Sequence, residues 1–172
     1  MTLGSRGDVQ PYVALGAALK ARGHEVAITT GRGFDDLIEA HGLISAPISD
    51  DVRALLLDPI VQSALTSFSG KIKAWRHFKG ETTRQLDETW AITREIRPDI
   101  IVHHLKMGGA AAFGAALNIP ALPSFLMPGL VPTSAYPNPM LPVANLGAFG
   151  NRLSSVLLLK IARATFSGML AR

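Results

Sequence analysis

The residues near the N-terminus with the most chemical potential are Gly4-Ser5-Arg6-Gly7-Asp8. In an open α/β sheet, ligands gather beyond the carboxyl ends of the strands, and this turn is placed to join a first strand to a first helix at such an end. Its glycines let the backbone approach a ligand closely, and the helix behind it offers N–H groups that its own ladder leaves free. The turn does not supply the G-x-G-x-x-G of dinucleotide-binding proteins, and no Gly-Lys-Ser/Thr follows it. Redox and nucleotide-hydrolysing readings therefore lose their main support. Asp8, just ahead of Pro11, suits a cap on the first helix, where its negative charge meets the positive end of the helix dipole.

A second candidate pair is His103 and His104. They close an expected strand at the same ligand-binding edge, but neighbouring strand residues point to opposite faces, so the two cannot ligate one metal. Two readings stay open: one histidine lines a cleft while the other is packed or solvated, or neither touches a substrate. His24 and His41 follow helices and read as structural. With no cysteine in the chain, disulfide frameworks, thiolate zinc sites and a catalytic cysteine are excluded. All 13 carboxylates lie between Asp8 and Asp99, so any carboxylate chemistry belongs to the first 99 residues.

The elements that position these groups alternate. After a short apolar opening, Met1 to Leu3, a helix is predicted with Pro11 at its first turn, Tyr12, Leu15 and Leu19 on one side, and Gly23 beyond its end. Val26 to Thr30 reads as a buried strand, Phe34 to Gly42 as a short helix, and Leu43 to Ile48 as a third strand. Asp50 to Leu57 is expected to be helical and Pro59 to Gly80 to be a long connection. A helix follows from about Glu81 to Ile96, with Leu86, Trp90, Ile92 and Ile96 as anchors. Ile100 to His103 is the next strand, Gly108 to Leu117 an alanine-rich helix, and Ala121 to Leu126 a further strand. Met127 to Gly150 is expected to be a structured loop, and Leu153 to Leu170 a helix whose stripe Leu153, Leu157, Ile161 and Leu170 packs into a core. Strand–helix alternation of this kind implies an α/β fold, a Rossmann-like, doubly wound parallel sheet.

Composition narrows the class. The 172 residues, 48% hydrophobic and 17% charged, suit one domain with a real core and exclude disorder. The formal charge of +4 is spread without a phosphate-binding stripe, so nucleic acid is not an expected partner. No secretory leader is visible, and a cytoplasmic setting is expected. The uncharged stretch from Met107 to Asn151 holds seven of the 11 prolines and cannot be one spanning helix. The three-residue first strand and a last helix without a stop signal lead to the expectation that the chain is a piece of something longer.

The run Gly4-Ser5-Arg6-Gly7-Asp8-Val9-Gln10-Pro11-Tyr12-Val13-Ala14-Leu15-Gly16 resembles the opening of the glycosyltransferase family 28 N-terminal domain, found in sterol glucosyltransferases and related antibiotic and glycolipid glycosyltransferases. The resemblance continues through Arg22-Gly23-His24-Glu25-Val26, Arg97-Pro98-Asp99-Ile100-Ile101-Val102, Leu117-Asn118-Ile119-Pro120 and the loop around Tyr136-Pro137-Asn138-Pro139. It implies the GT-B architecture, two Rossmann-like domains facing across a cleft, with residues 1–172 as the N-terminal, acceptor-binding half and the nucleotide-sugar domain absent. It also implies inverting, metal-independent hexosyl transfer from a UDP-sugar to a hydroxyl of a lipophilic acceptor such as a sterol, lipid or polyketide. No cofactor is expected, the UDP-sugar being a substrate held by the missing domain.

By the same resemblance Asp8 is the candidate general base, since an acceptor hydroxyl is a poor nucleophile until its proton is removed. The helix-cap reading stands beside it, because a helix N-terminus favours the ionised form and weakens the base. Gly4, Ser5, Arg6, Gly7, His103, His104, Met127 and Tyr136 are the candidate cleft residues. Met127, Leu130, Val131, Tyr136 and Met140 either line an apolar acceptor site or cover the sheet end and meet the missing domain. Lys71, Lys73, Trp75 and Arg76, in an acid-free stretch with Phe68 and Phe78, suit peripheral contact with an anionic membrane, or else form a solvated helix face. The alternative to an enzyme half is a non-catalytic acceptor- or membrane-binding subunit that pairs with a separate donor-binding chain. In either case residues 1–172 alone are expected to be inactive.

Overall fold

A computed structural model of the chain describes residues 1–51, 59, 68–127, 131–139, 141 and 143–170, with the backbone alone for 68–81 and 162–170. In chain order its elements are α1 (Arg6–Lys20), β1 (Ala27–Ile28), α2 (Asp35–Glu39), β2 (Ile44–Ser45), α3 (Phe68–Ile96), β3 (Ile101–His103), α4 (Ala110–Leu117), β4 (Ala121–Pro123) and α5 (Gly147–Leu170). They fall in two compact units, Met1–Leu122 and Pro123–Arg172. The expected helix over Asp50 to Leu57 lies mostly outside the described residues.

In the first unit β1 and β2 pair in parallel, Ala27 opposite Ile44 and Ile28 opposite Ser45. The ladder runs on to Ile48, whose N–H donates to the Thr30 carbonyl at 2.9 Å. β3 pairs with β4. Met1–Leu3 lies between the two pairs; it is not a regular strand, but its backbone makes a strand's bonds. The Met1 nitrogen donates to Val102 O at 2.7 Å, the His104 N–H to Met1 O at 2.9 Å, and the Thr2 N–H to Thr29 O at 2.9 Å. The order is thus β2, β1, Met1–Leu3, β3, β4, with the N-terminal segment central, as in a doubly wound sheet. Two apolar clusters pack on this framework: Val9, Val13, Ile28, Ile38 and Leu43, and Ile101, Met107, Ala110 and Phe113. Burying each large aliphatic side chain of this kind contributes about 1.5–3 kcal/mol.

α1 departs from its expected form. It begins at Arg6, so Pro11 lies inside the helix rather than at its start. A proline there removes one ladder bond, to the carbonyl of Gly7 four residues back, and the remaining ladder carries the helix through. The buried stripe is Val9, Tyr12, Val13 and Gly16, with Leu15 exposed. Gly16 selects this register: a Cβ on it would lie 2.9 Å from Leu43 Cδ1 and 3.2 Å from Val26 Cγ1, so a side chain there would push α1 off the strands.

α3 also differs: most of the connection expected up to Gly80 is helix from Phe68 onward. No proline stands between Pro59 and Pro98, and the two glycines of the N-terminal part, Gly70 and Gly80, cost only about 1 kcal/mol each. Its C-terminal half is tied to the segment after β2: Glu88 accepts from the Ser49 N–H at 2.6 Å, and Arg84 pairs with both Asp50 and Glu88. Leu86 and Trp90 pack on the second cluster as expected, the Trp90 and Phe113 rings lying 5.3 Å apart. Ile96 is exposed; its place in the interior falls to Thr89 and Thr93, whose hydroxyls donate to the carbonyls one turn back. β3 starts one residue later than expected, leaving Ile100 exposed, and β4 stops at Pro123, because Pro123 brings no amide to the ladder.

The second unit reverses an expectation. α5 starts at Gly147 rather than Leu153, and its stripe is not core: Leu153, Leu157 and Ile161 are 50%, 55% and 55% exposed, and Phe149 is 81% exposed. The face turned inward is polar, formed by Asn151, Ser154 and Ser155. It packs on buried Asn138, whose N–H donates to Ser154 Oγ at 2.9 Å. Asn151 takes the Leu146 N–H at 3.0 Å and donates to Ser134 O at 3.1 Å and Asn145 Oδ1 at 3.0 Å. The loop of Ser134 to Asn145 is full of turn residues whose backbone groups need partners, and these short polar side chains satisfy them. Leu170 lies beyond the residues whose side chains are described.

Candidate functional site

The first turn is built by a capping arrangement. Ser5, with extended backbone, is the N-cap of α1, and Asp8 is the third helical residue, so Arg6, Gly7 and Asp8 belong to the helix rather than to a loop before it. Asp8 reaches back in the manner of a capping box: its Oδ2 accepts from the Ser5 N–H at 2.8 Å and from the Ser5 hydroxyl at 3.1 Å. The Lys106 ammonium, from the loop between β3 and α4, meets the same oxygen at 3.0 Å. Among the described residues no donor reaches Oδ1 of Asp8. The Asp8 carbonyl accepts from Thr2 Oγ1 at 3.0 Å, joining the helix start to the central backbone segment.

Gly4 makes this convergence possible. Its φ is +140°, and a Cβ built on it would fall 2.1 Å from Asp8 Oδ2 and 2.6 Å from Lys106 Nζ. Gly7 carries no such requirement, since a Cβ there would meet only Ser5 Oγ at 3.6 Å. The Arg6 side chain is exposed and turned along α1, its Nε 3.4 Å from Gln10 Oε1.

The charges follow the geometry. Burial alone would raise the Asp8 carboxyl, but the hydrogen bond and charge of Lys106 and the two Ser5 donors outweigh it and hold the group below the ordinary aspartate range. His104 is buried beside the same cluster: its ring meets Tyr12 edge-on, centroids 6.2 Å apart, and its buried Nδ1 has no hydrogen-bond partner among the described residues. Its affinity for a proton is lowered by burial first and by the Lys106 charge second, against the attraction of Asp8. His103, half-buried, has its Nδ1 3.3 Å from the His104 carbonyl and is lowered mainly by burial. Both imidazoles are therefore neutral at pH 7.

The structure thus brings Gly4, Ser5, Asp8 and His104 together and adds Lys106, which sequence reasoning passed over. Nothing local marks this lysine: it is one cation in a loop, and only the parallel crossover carries it to the first turn. Met127 and Tyr136 lie in the second unit, both exposed. Leu130 and Met140 lie outside the described residues. Lys71, Lys73, Trp75 and Arg76 lie on α3 in the part described by backbone alone. Among the described residues no helix is long and apolar enough to cross a membrane.

Comparison with known proteins points one way. The glycosyltransferase family 28 N-terminal domain matches residues 1–134. A sterol 3-beta-glucosyltransferase of Vanderwaltozyma polyspora is 32% identical over 163 residues, covering 91% of this chain and 13% of that protein. One from Sclerotinia sclerotiorum is 32% identical over 173 residues, covering 100% of the chain and 12% of its own length. The chain therefore spans about an eighth of the length of these relatives. Among solved structures, the glycosyltransferase SnogD from Streptomyces nogalater matches with a TM-score of 0.56 at 21% identity, over 98% of this chain and 39% of its own. The calicheamicin glycosyltransferase CalG4 matches with a TM-score of 0.57 at 18% identity, over 72% of this chain and 30% of its own. At such identities the likeness bears on fold alone. The chain belongs to the glycosyltransferase family 28 N-terminal domain family and has the Rossmann-like α/β fold of the N-terminal half of a GT-B glycosyltransferase.

Proposed function

We propose that this chain is the acceptor-binding half of an inverting, metal-independent glycosyltransferase that moves a hexose from a UDP-sugar to the hydroxyl of a lipophilic acceptor, with Asp8 as general base. The observation that carries the reading is the lopsided anchoring of Asp8. Its Oδ2 takes the two Ser5 donors and Lys106, while among the described residues no donor holds Oδ1, which leaves it for another proton. Family membership and the sterol 3-beta-glucosyltransferase relatives support the reaction class and the apolar acceptor.

In this mechanism the acceptor O–H gives its proton to Oδ1 as its oxygen attacks the anomeric carbon from the face opposite UDP. The carbon–oxygen bond to UDP breaks, its electron pair leaves with the diphosphate, and the configuration at carbon inverts. A base positioned in this way contributes about 10²–10⁴-fold. The depressed proton affinity of Asp8 favours the lower part of that range, because a weaker base takes the proton less readily.

The test is Asp8→Asn in the intact protein. Asparagine keeps an oxygen for the Ser5 N–H, so the helix start survives. The lost ion pair with a half-exposed lysine is worth up to about 1 kcal/mol, which at this size lowers the melting temperature by about 2–4 °C. Turnover is expected to fall at least a hundredfold on the order set by general-base catalysis. A variant that melts early yet turns over normally would leave Asp8 as a helix-start residue only. Residues 1–172 alone should show no transfer from any UDP-sugar, and detectable turnover would overturn the division of labour.

A further inference from the structure

We propose that Lys106 is a positioning residue for this site, its ammonium clamping Oδ2 of Asp8 over the Gly4 turn so that Oδ1 remains the oxygen available to a substrate hydroxyl. The inference rests on the reading of Asp8 as base and adds to it a group that no sequence motif marks.

Three observations carry it. The Ser5 contacts to Asp8 are local, the kind any helix start with serine and an acid three residues on provides. Lys106 is different: it arrives from the loop after β3, across the central backbone segment, and ends 3.0 Å from the same oxygen. Next, the backbone is shaped to admit it. Gly4 at φ +140° leaves open the volume that a Cβ would occupy, 2.6 Å from the Lys106 nitrogen and 2.1 Å from Oδ2, so both charged groups rest over bare main chain. Finally, the pair is unequally exposed, the Asp8 side chain 19% and the Lys106 side chain 50%. The carboxylate is held away from much of the solvent while the lysine stem spans from solvent to it.

The groups facing Asp8 can be named. From its own helix start come the N–H and hydroxyl of Ser5, and from the loop after β3 comes Lys106. His104, at the end of β3, is kept neutral by burial and so does not compete as a cation. Lys106 is therefore the charged group that, beside the neutral Ser5 donors and against the effect of burial, favours the carboxylate form of Asp8. When Asp8 takes a proton the attraction lapses, and Lys106 then favours return of that proton to solvent, which resets the base.

The experiment follows the Asp8 carboxyl carbon by NMR through an acid titration of the full chain, as wild type, Lys106→Met and Lys106→Arg, at low and high salt. In Lys106→Met the midpoint is expected to rise toward the ordinary aspartate value and to lose its salt dependence; in Lys106→Arg it should stay near wild type. Lys106→Gln serves if the methionine variant folds poorly. An Asp8 midpoint that ignores both Lys106→Met and salt overturns the proposal. The intact transferase then separates this from the base reading: the acid limb of kcat/KM should rise in pH along with the carboxyl. A carboxyl that moves while the limb stays put supports the clamp and counts against Asp8 as base.

Discussion

Gly4 is where the site is most sensitive to a single atom. Its φ of +140° is one that L side chains rarely adopt, and a Cβ would collide with the carboxylate of Asp8 and the ammonium of Lys106. Gly4→Ala must therefore move one or both charged groups as well as strain the turn. Backbone strain of this sort costs on the order of 1–3 kcal/mol, or about 2–12 °C in melting temperature for a chain of this size. The expected result by thermal melting is a loss in that range, together with a catalytic defect in the intact protein close to that of Asp8→Asn. Gly7→Ala, with only Ser5 Oγ at ordinary contact distance, serves as the control for the melt and should leave the melting temperature nearly unchanged. The Gly4-to-Asp8 motif was legible in the sequence as a glycine-bearing helix start with a capping acid. That a Cβ has no room at Gly4 depends on where the Asp8 and Lys106 side chains arrive.

At the scale of elements, α5 is the clearest case of structure overriding pattern. An apolar stripe at helical spacing is usually read as a core face, yet here the interior takes Asn151, Ser154 and Ser155. The reason is the neighbouring loop, whose prolines and turns leave main-chain groups without regular partners; a buried helix face made of short polar residues can satisfy them. Asn151→Ala removes the acceptor of the Leu146 N–H and the donor to the Ser134 carbonyl at once. Losing part-buried hydrogen bonds of this kind costs about 0.5–1.5 kcal/mol each. Hydrogen exchange should report this as lost protection of the amides from Leu146 to Asn151, with β1 and β2 unaffected; unchanged protection there would mean that the asparagine network is not what holds the loop. Leu153→Ala, on the exposed side, should be close to neutral by the same measurement.

For the whole molecule, charge is distributed as unevenly as the sequence suggests, with every carboxylate confined to Asp8 through Asp99 and the acid-free run of Lys71, Lys73 and Arg76 on α3. If that run meets an anionic bilayer, each cation contributes about 1 kcal/mol at low salt. Binding to phosphatidylserine-containing vesicles, measured by sedimentation, should then weaken on the order of a hundredfold when all three are neutralised, and should fade as salt screens the surface. Binding indifferent to both salt and these substitutions would assign the run to a solvated helix face. The sequence by itself determined the alternation of strands and helices, the position of the glycine-bearing helix start and the identity of its capping acid. These follow from periodicity, glycine placement and helix-start chemistry acting over a few neighbouring residues. The tertiary structure alone decided that Met1–Leu3 is the centre of the sheet, that α5 turns its polar side inward, and that Lys106 closes on Asp8. Each of these rests on groups far apart in the chain, whose meeting depends on backbone hydrogen bonds across the sheet and on which faces find partners, and local pattern carries no record of that.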